Sequence, residues 1–281
     1  MRLGDFELHV LSDGRARADG GGFFGLVPKV LWEREMPADS FNRIPVALNL
    51  LLIKAPGANI LVDTGYGYKF TQRQLEMFGV EPGDRLLEEL AKLGLRPEDI
   101  DIVVNTHLHA DHAAGNTVRH NGRIVPTFPR AEYWVQRREW HDANNPNERT
   151  RATYIPENLL PLEEHRVLHL LDGDEEVVPG VRCEVTPGHV PSHQSVVVEA
   201  GGQKAVFLGD LAPFAIHIER LAWVPAFDLD PMTTIDTKRK TIADALDNDH
   251  ILIFEHDPKI AVGRLRPHGS RWRVEPLGDS L

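Results

Sequence analysis

The stretch VNTHLHADHAAGN, residues 104–116, places three histidines and an aspartate at positions 107, 109, 111 and 112, with nothing bulkier than leucine between them. The apolar run from Ile102 to Asn105 reads as a buried strand, so the cluster begins where a strand ends. His107 and His109 then project from a loop, while Asp111 and His112 enter the first turn of a helix. Alternate residues of an extended loop share a side and adjacent helical residues point about 100° apart, so this spacing serves two nearby centres rather than one. Two metals are implied. Ala110, Ala113, Ala114 and Gly115 are small enough to let the backbone come close. The plain alternative is a polar loop that caps a helix through Asp111. Three imidazoles and a carboxylate within six residues weigh against it.

Working outward, three further candidates each follow a short apolar strand: His189 in EVTPGH, Asp210 in AVFLGD and His256 in LIFEH. Singly, each is more often structural than catalytic; their shared position at strand ends raises all three together. Five imidazoles and two carboxylates would satisfy two divalent ions and leave room for water. That mixture of nitrogen and hard oxygen suits Zn(II), with Fe, Mn or Co as further options.

The surrounding sequence supplies the frame. Residues 46–62 read as a hairpin turned by PGAN, whose second strand delivers Asp63 to a glycine turn. From Asp84 to Leu93, Leu86, Leu87, Leu90 and Leu93 form one helical stripe that stops at Gly94. SVVVEAGGQKAVFLGD is a hairpin around Gly201 and Gly202, residues 235–247 are helical, HILIFEHD holds a buried strand, and RWRVEPL is an edge strand. Strands in two blocks, each followed by helices, predict two facing sheets with helices outside. Apolar runs such as VALNLLLI predict strands covered on both faces.

Composition narrows the partners. The chain has 281 residues, 42% of them hydrophobic, enough for a large core in one domain. A net charge of -11 disfavours nucleic acid and favours a small-molecule substrate. No run of eighteen apolar residues and no signal-peptide pattern is visible, so no membrane partner and a cytoplasmic location are expected. The only cysteine, Cys183, shares a strand face with Val181 and Val185 and is expected in the core.

The strings HLHADH, TPGH, FLGD and FEHD, with LVDTG upstream, closely resemble the metallo-β-lactamase superfamily over nearly the whole chain. The resemblance implies an α/β fold, a four-layer αββα sandwich, as a single domain over residues 1–281 with the site along one edge of the sheets. It implies one metal on His107, His109 and His189, a second on Asp111, His112 and His256, and Asp210 bridging them. The order DGDEEVVPGV, TPGHVPSHQSVVVE, FEHD is similar to N-acyl homoserine lactone lactonases and their organophosphate-hydrolase relatives. Those lactonases carry a tyrosine three residues after the bridging aspartate, where this chain has Pro213, and PGHQS is altered by Ser192.

The expected chemistry is hydrolysis of a small ester, lactone or phosphotriester by a hydroxide shared between two ions. Asp111 and Asp210 are the catalytic candidates, with Asp111 carrying a proton to the leaving group. Asp63 is expected to accept an N–H from a ligand histidine, and His193 to support the ligands from behind. Phe23, Phe24, Phe214 and His217 are candidates for the pocket wall. Residues 20–45, rich in glycine and aromatics, are expected to form a flap over the site or to pack on the sandwich or on a second subunit of a homodimer. The competing function is a one-iron oxidoreductase resembling persulfide dioxygenases, which would need only a subset of these ligands.

Overall fold

The computed structural model describes residues 1–80 and 85–278. The apolar run Leu50–Ile53 of the first hairpin has a direct cause. In one strand, Leu51 and Ile53 face the opposing sheet while Leu50 and Leu52 face helices, and all four are sealed from water. Where a strand is covered on both faces, every position favours an apolar side chain.

The first sheet contains β1 (Arg2–Leu3), β2 (Phe6–Asp19), β3 (Arg43–Ala55), β4 (Ala58–Val62) and β5 (Ile102–Val104). After a separate hairpin, β6 (Thr117–His120) and β7 (Arg123–Pro126), it is completed by β8 (Glu132–Gln136) and β9 (Leu168–Leu171). The second sheet runs in sequence order through β10 (Glu175–Val178), β11 (Val181–Val185), β12 (Gln194–Ala200), β13 (Gln203–Phe207), β14 (Ile251–Ile253), β15 (Val262–His268) and β16 (Arg271–Pro276). The tail is therefore an edge strand, as its sequence predicts. Between the sheets lies a core that includes Leu51, Ile53, Val62, Val104, Cys183 and Phe207.

Nine helices are described: α1 (Gly20–Phe24), α2 (Lys29–Trp32), α3 (Gln72–Phe78), α4 (Leu86–Lys92), α5 (Ala110–Ala113), α6 (Arg137–Asn144), α7 (Pro156–Glu164), α8 (Ala215–Glu219) and α9 (Pro231–Asn248). Leu86 and Leu90 of α4 and Leu162 of α7 cover the outer face of the first sheet. Ile218 of α8 and Ile242 and Ala245 of α9 cover that of the second. The result is the expected four layers. Asp84, the first residue of the expected leucine-striped helix, lies outside the described residues. Helix α9 starts earlier than its hydrophobic pattern indicates, because Asp230 accepts from the Thr233 N–H at 3.0 Å and Pro231 fills the first helical position.

Two parallel pairs matter for the site. β4 pairs with β5 in one sheet and β13 with β14 in the other, so all four carboxyl ends open on one edge of the sandwich.

The segment 20–45 is packed rather than open. Phe24 stacks on Trp32 at 5.1 Å and Phe23 meets Phe214 at 4.9 Å. Gly20, Gly21 and Gly22 lie within helix α1 and do not form a hinge. Gly20 is needed for contact: a Cβ there would come within 2.5 Å of the Trp32 ring. On the outer side of the same segment Leu26, Val30, Leu31 and Phe41 are exposed.

Candidate metal centre

The centre is built from the close approach of two loops. After β5 the chain turns through Asn105 and Thr106 and enters α5, while the turn after β4 runs alongside it. The Thr64 N–H donates to the His112 carbonyl at 2.8 Å and the Gly115 N–H to the Gly65 carbonyl at 2.9 Å. A Cβ on Gly115 would sit 2.1 Å from the Thr64 carbonyl oxygen. The small residues Ala113, Ala114 and Gly115 thus admit the neighbouring turn, not only the space around the ligands.

His107 Nε2, His109 Nδ1 and His189 Nε2 form a triangle with edges of 3.0 to 3.1 Å. His189 Nδ1 lies 3.0 Å from the Asp228 carboxylate and His107 Nδ1 lies 3.1 Å from Thr106 Oγ1, which itself donates to Asp63 at 2.7 Å. In His107 and His189, Nδ1 is therefore the N–H donor, leaving Nε2 as a bare lone pair facing the centre of the triangle, whereas His109 turns its Nδ1 inward. Burial, reinforced by the neighbouring imidazoles, holds His107 and His109 well below the ordinary histidine pKa, so both are neutral lone-pair donors. Lone pairs turned on one another at this distance repel unless a cation lies among them.

The second group adjoins the first. His112 Nε2 and His256 Nε2 are 3.2 Å apart, and Asp111 reaches each of them at 3.8 Å through different oxygens. Asp210 stands between the groups: Oδ2 is 3.2 Å from His189 Nε2 and 3.5 Å from His112 Nε2, and Oδ1 is 3.2 Å from His256 Nε2. Asp210 Oδ1 is buried with no hydrogen-bond partner in the protein. A buried, partnerless carboxylate oxygen beside bare imidazole nitrogens is a donor set that fits divalent cations. The geometry assembles two sets, His107/His109/His189 and Asp111/His112/His256, with Asp210 positioned to be shared.

Around them lies a layer of carboxylates and hydroxyls. Asp63, held at φ +56° after β4, is 3.1 Å from His112 Nδ1 and also accepts the Thr106 N–H at 2.8 Å. Sequence reasoning anticipated that contact. His193 accepts the Asp210 N–H at 3.0 Å, and Gly209 beside it has φ +52° where a Cβ would fall 2.8 Å from the His193 ring. His256 Nδ1 donates to the Ala47 carbonyl at 3.0 Å.

Three carboxylates escaped the sequence reading. Asp228 orients His189, and its other oxygen accepts from Thr234 at 2.6 Å. Glu255 lies 3.0 Å from His112 Nδ1, and burial pushes its carboxyl well above the ordinary range. Glu139 is fully buried and accepts from the Leu108 N–H at 2.9 Å, Tyr154 at 3.0 Å and Ser192 at 2.8 Å, tying the two histidine loops together. Asp228 and Glu139 lie in segments without a telling motif. Glu255 alone had a signal, as the neighbour of His256.

The expected pocket wall is corrected in part. Phe24, Phe214 and His217 are wholly buried beneath the site and line no opening. Burial and the adjacent Lys238 pull His217 down to about 3, and the neutral ring donates to the Phe23 carbonyl at 3.0 Å. His217 thus pins α1 to the sandwich. Phe23 stays nearer the centre, 6.1 Å from the His256 ring. The cleft that reaches His109 is walled instead by Phe227, Leu229, Gly22 and the turn at Arg149 and Thr150.

Comparison with known proteins follows the same lines. The model of the metallo-beta-lactamase superfamily matches residues 44–256. An N-acyl homoserine lactonase from Bacillus thuringiensis is 30% identical over 217 residues, spanning 73% of this chain and 79% of the relative. A probable metal-dependent hydrolase from Staphylococcus aureus superposes with a TM-score of 0.92 at 33% identity, covering 100% of both chains. AidC, a dizinc quorum-quenching lactonase solved with its product N-hexanoyl-L-homoserine, shares the fold with a TM-score of 0.80 at 22% identity over 99% of this chain and 96% of its own.

Proposed function

The chain belongs to the metallo-β-lactamase superfamily, and from that premise we propose that it is a metal-dependent hydrolase that opens small lactones. The observation that carries this reading is the pair of adjoining ligand sets with Asp210 between them. A one-iron oxidoreductase needs only one set; a complete second set favours hydrolysis. Zinc is the proposed metal, since imidazole nitrogens outnumber carboxylates among the ligands.

When bound, divalent ions supply Lewis acidity, lowering the pKa of water and polarising a carbonyl oxygen. The chain's residues do the rest. His107, His109 and His189 would hold one ion and Asp111, His112 and His256 the other, with Asp210 spanning both. Asp63 and Asp228 fix the imidazole tautomers, so no ring has to turn during the reaction. Asp111 is the most exposed member of the set and the one able to hold a proton beside the leaving group. Phe227, with Phe23 packed edge-on behind it at 5.1 Å, keeps part of the cleft wall apolar. A homodimer is proposed on the four exposed apolar side chains of residues 26–41.

The test is a hydrolysis screen of metal-loaded protein over lactones, aryl esters, phosphotriesters and β-lactams. Lactones should turn over fastest. Absence of hydrolysis across all four, with both ions bound, would overturn the reading.

A further inference from the structure

The cleft that reaches His109 carries one fixed cation. Its volume is about 270 Å³, and its walls include Phe227 and Leu229 together with Arg149, Thr150 and Thr153. No lining side chain is a carboxylate. This is a small space, close to the lower end of ordinary ligand pockets at roughly 300 Å³.

Arg149 is exposed but anchored. Its Nη2 donates to the Ala226 carbonyl at 2.6 Å and to the Asp228 carbonyl at 3.5 Å. The turn beneath it is closed by Asn147, whose side chain accepts the Arg149 N–H at 2.9 Å and the Thr150 N–H at 3.2 Å. A guanidinium has five donors, and two carbonyls at one nitrogen leave the remaining N–H groups free. Among the described residues no carboxylate pairs with Arg149. In a chain of net charge -11, a guanidinium held by backbone carbonyls rather than by a carboxylate, in a cleft that reaches a candidate metal ligand, is a local positive charge in an otherwise anionic field. The general field of the protein repels anions, so an anionic group would enter this cleft only by meeting a local charge.

We propose that the cleft selects lactones whose acyl chain ends in a carboxylate, with Arg149 as the group that receives it and the Phe227/Leu229 wall covering the intervening methylenes. The proposal rests on the hydrolase reading above. Arg149 touches the far end of the substrate and takes no part in bond breaking: the ring ester opens as before, and the terminal carboxylate emerges unchanged. A planar guanidinium pairs with a carboxylate through two parallel bonds, which lysine does not reproduce.

The experiment compares two γ-butyrolactones carrying a succinyl or a succinamoyl chain on the ring amino group, matched in shape and differing in charge. Wild-type enzyme should prefer the succinyl compound by about tenfold or more in kcat/KM, chiefly through KM. In Arg149→Met that preference should vanish, whatever the absolute rates, and Arg149→Lys should restore part of it. Hydrolysis of both compounds without preference by the wild type would overturn the proposal and leave the hydrolase reading standing. So would an equal loss on both in Arg149→Met, which would make Arg149 only a brace for the 226–228 turn. Hydrolysis of neither compound would likewise overturn the proposal, while the hydrolase reading falls only if the wider screen above also shows no turnover.

Discussion

The two halves of the sandwich supply the centre in different ways. The first half delivers His107, His109, Asp111 and His112 from one strand, one loop and one turn of helix. The second delivers His189, Asp210 and His256 singly, from the ends of β11, β13 and β14. The first half depends on local spacing, the second on topology, because a parallel pair brings two distant strand ends together. Support differs too. In the first half a single carboxylate, Asp63, serves two ligands: His112 directly and His107 through Thr106. In the second each ligand has its own partner: Asp228 for His189, His193 for Asp210 and the Ala47 carbonyl for His256.

That contrast can be broken at its seam. Asp210 stands between the two ligand sets, so Asp210→Ala should weaken both ions and lower kcat by about a thousandfold or more. Elemental analysis beside kinetics checks it; full metal content at wild-type rate would contradict the shared position. Next in size is Asp63→Asn, which disturbs two ligands and should exceed Asp228→Asn, expected to cost about 10- to 100-fold in metal affinity. If the two replacements cost the same, the difference in wiring between the halves has no energetic meaning.

The sequence yielded the first half almost entirely, because spacing along one chain segment is a local property. His189, Asp210 and His256 were legible only through their common place after apolar strands. The carboxylates Asp228 and Glu139 were not legible, because each reaches its partner by tertiary packing, 39 residues away for Asp228 and His189 and 53 for Glu139 and Ser192. The supposed glycine hinge misled for a related reason: the close approach of Trp32 to Gly20, twelve residues on, is invisible in composition.

Smaller effects sharpen the comparison away from the centre. On the second-half side Lys238 is buried, donating to the His217 and Trp223 carbonyls at 2.9 and 2.7 Å, and burial pulls its ammonium down to about 7. A lysine whose folded pKa lies below its unfolded value opposes folding while charged, so its penalty is full below pH 7 and fades as pH rises toward about 10.4. Thermal stability of the wild type should therefore rise relative to Lys238→Met as pH increases from about 7 to about 9. A constant gap between the two melting curves would exclude this titration. Smallest of all, burial pushes the Cys183 thiol up and seals it between the sheets, so a thiol reagent should label it only after unfolding. Rapid labelling of the native protein would mean that the sheets open.

The most direct measurement is a calorimetric titration of metal-free protein with zinc, using wild type and Asp210→Ala side by side. Two equivalents per chain should bind to the wild type, with weakened binding at both sites in the variant. A wild type that takes up one equivalent or none, or a variant that titrates identically, would contradict a centre shared between the two halves.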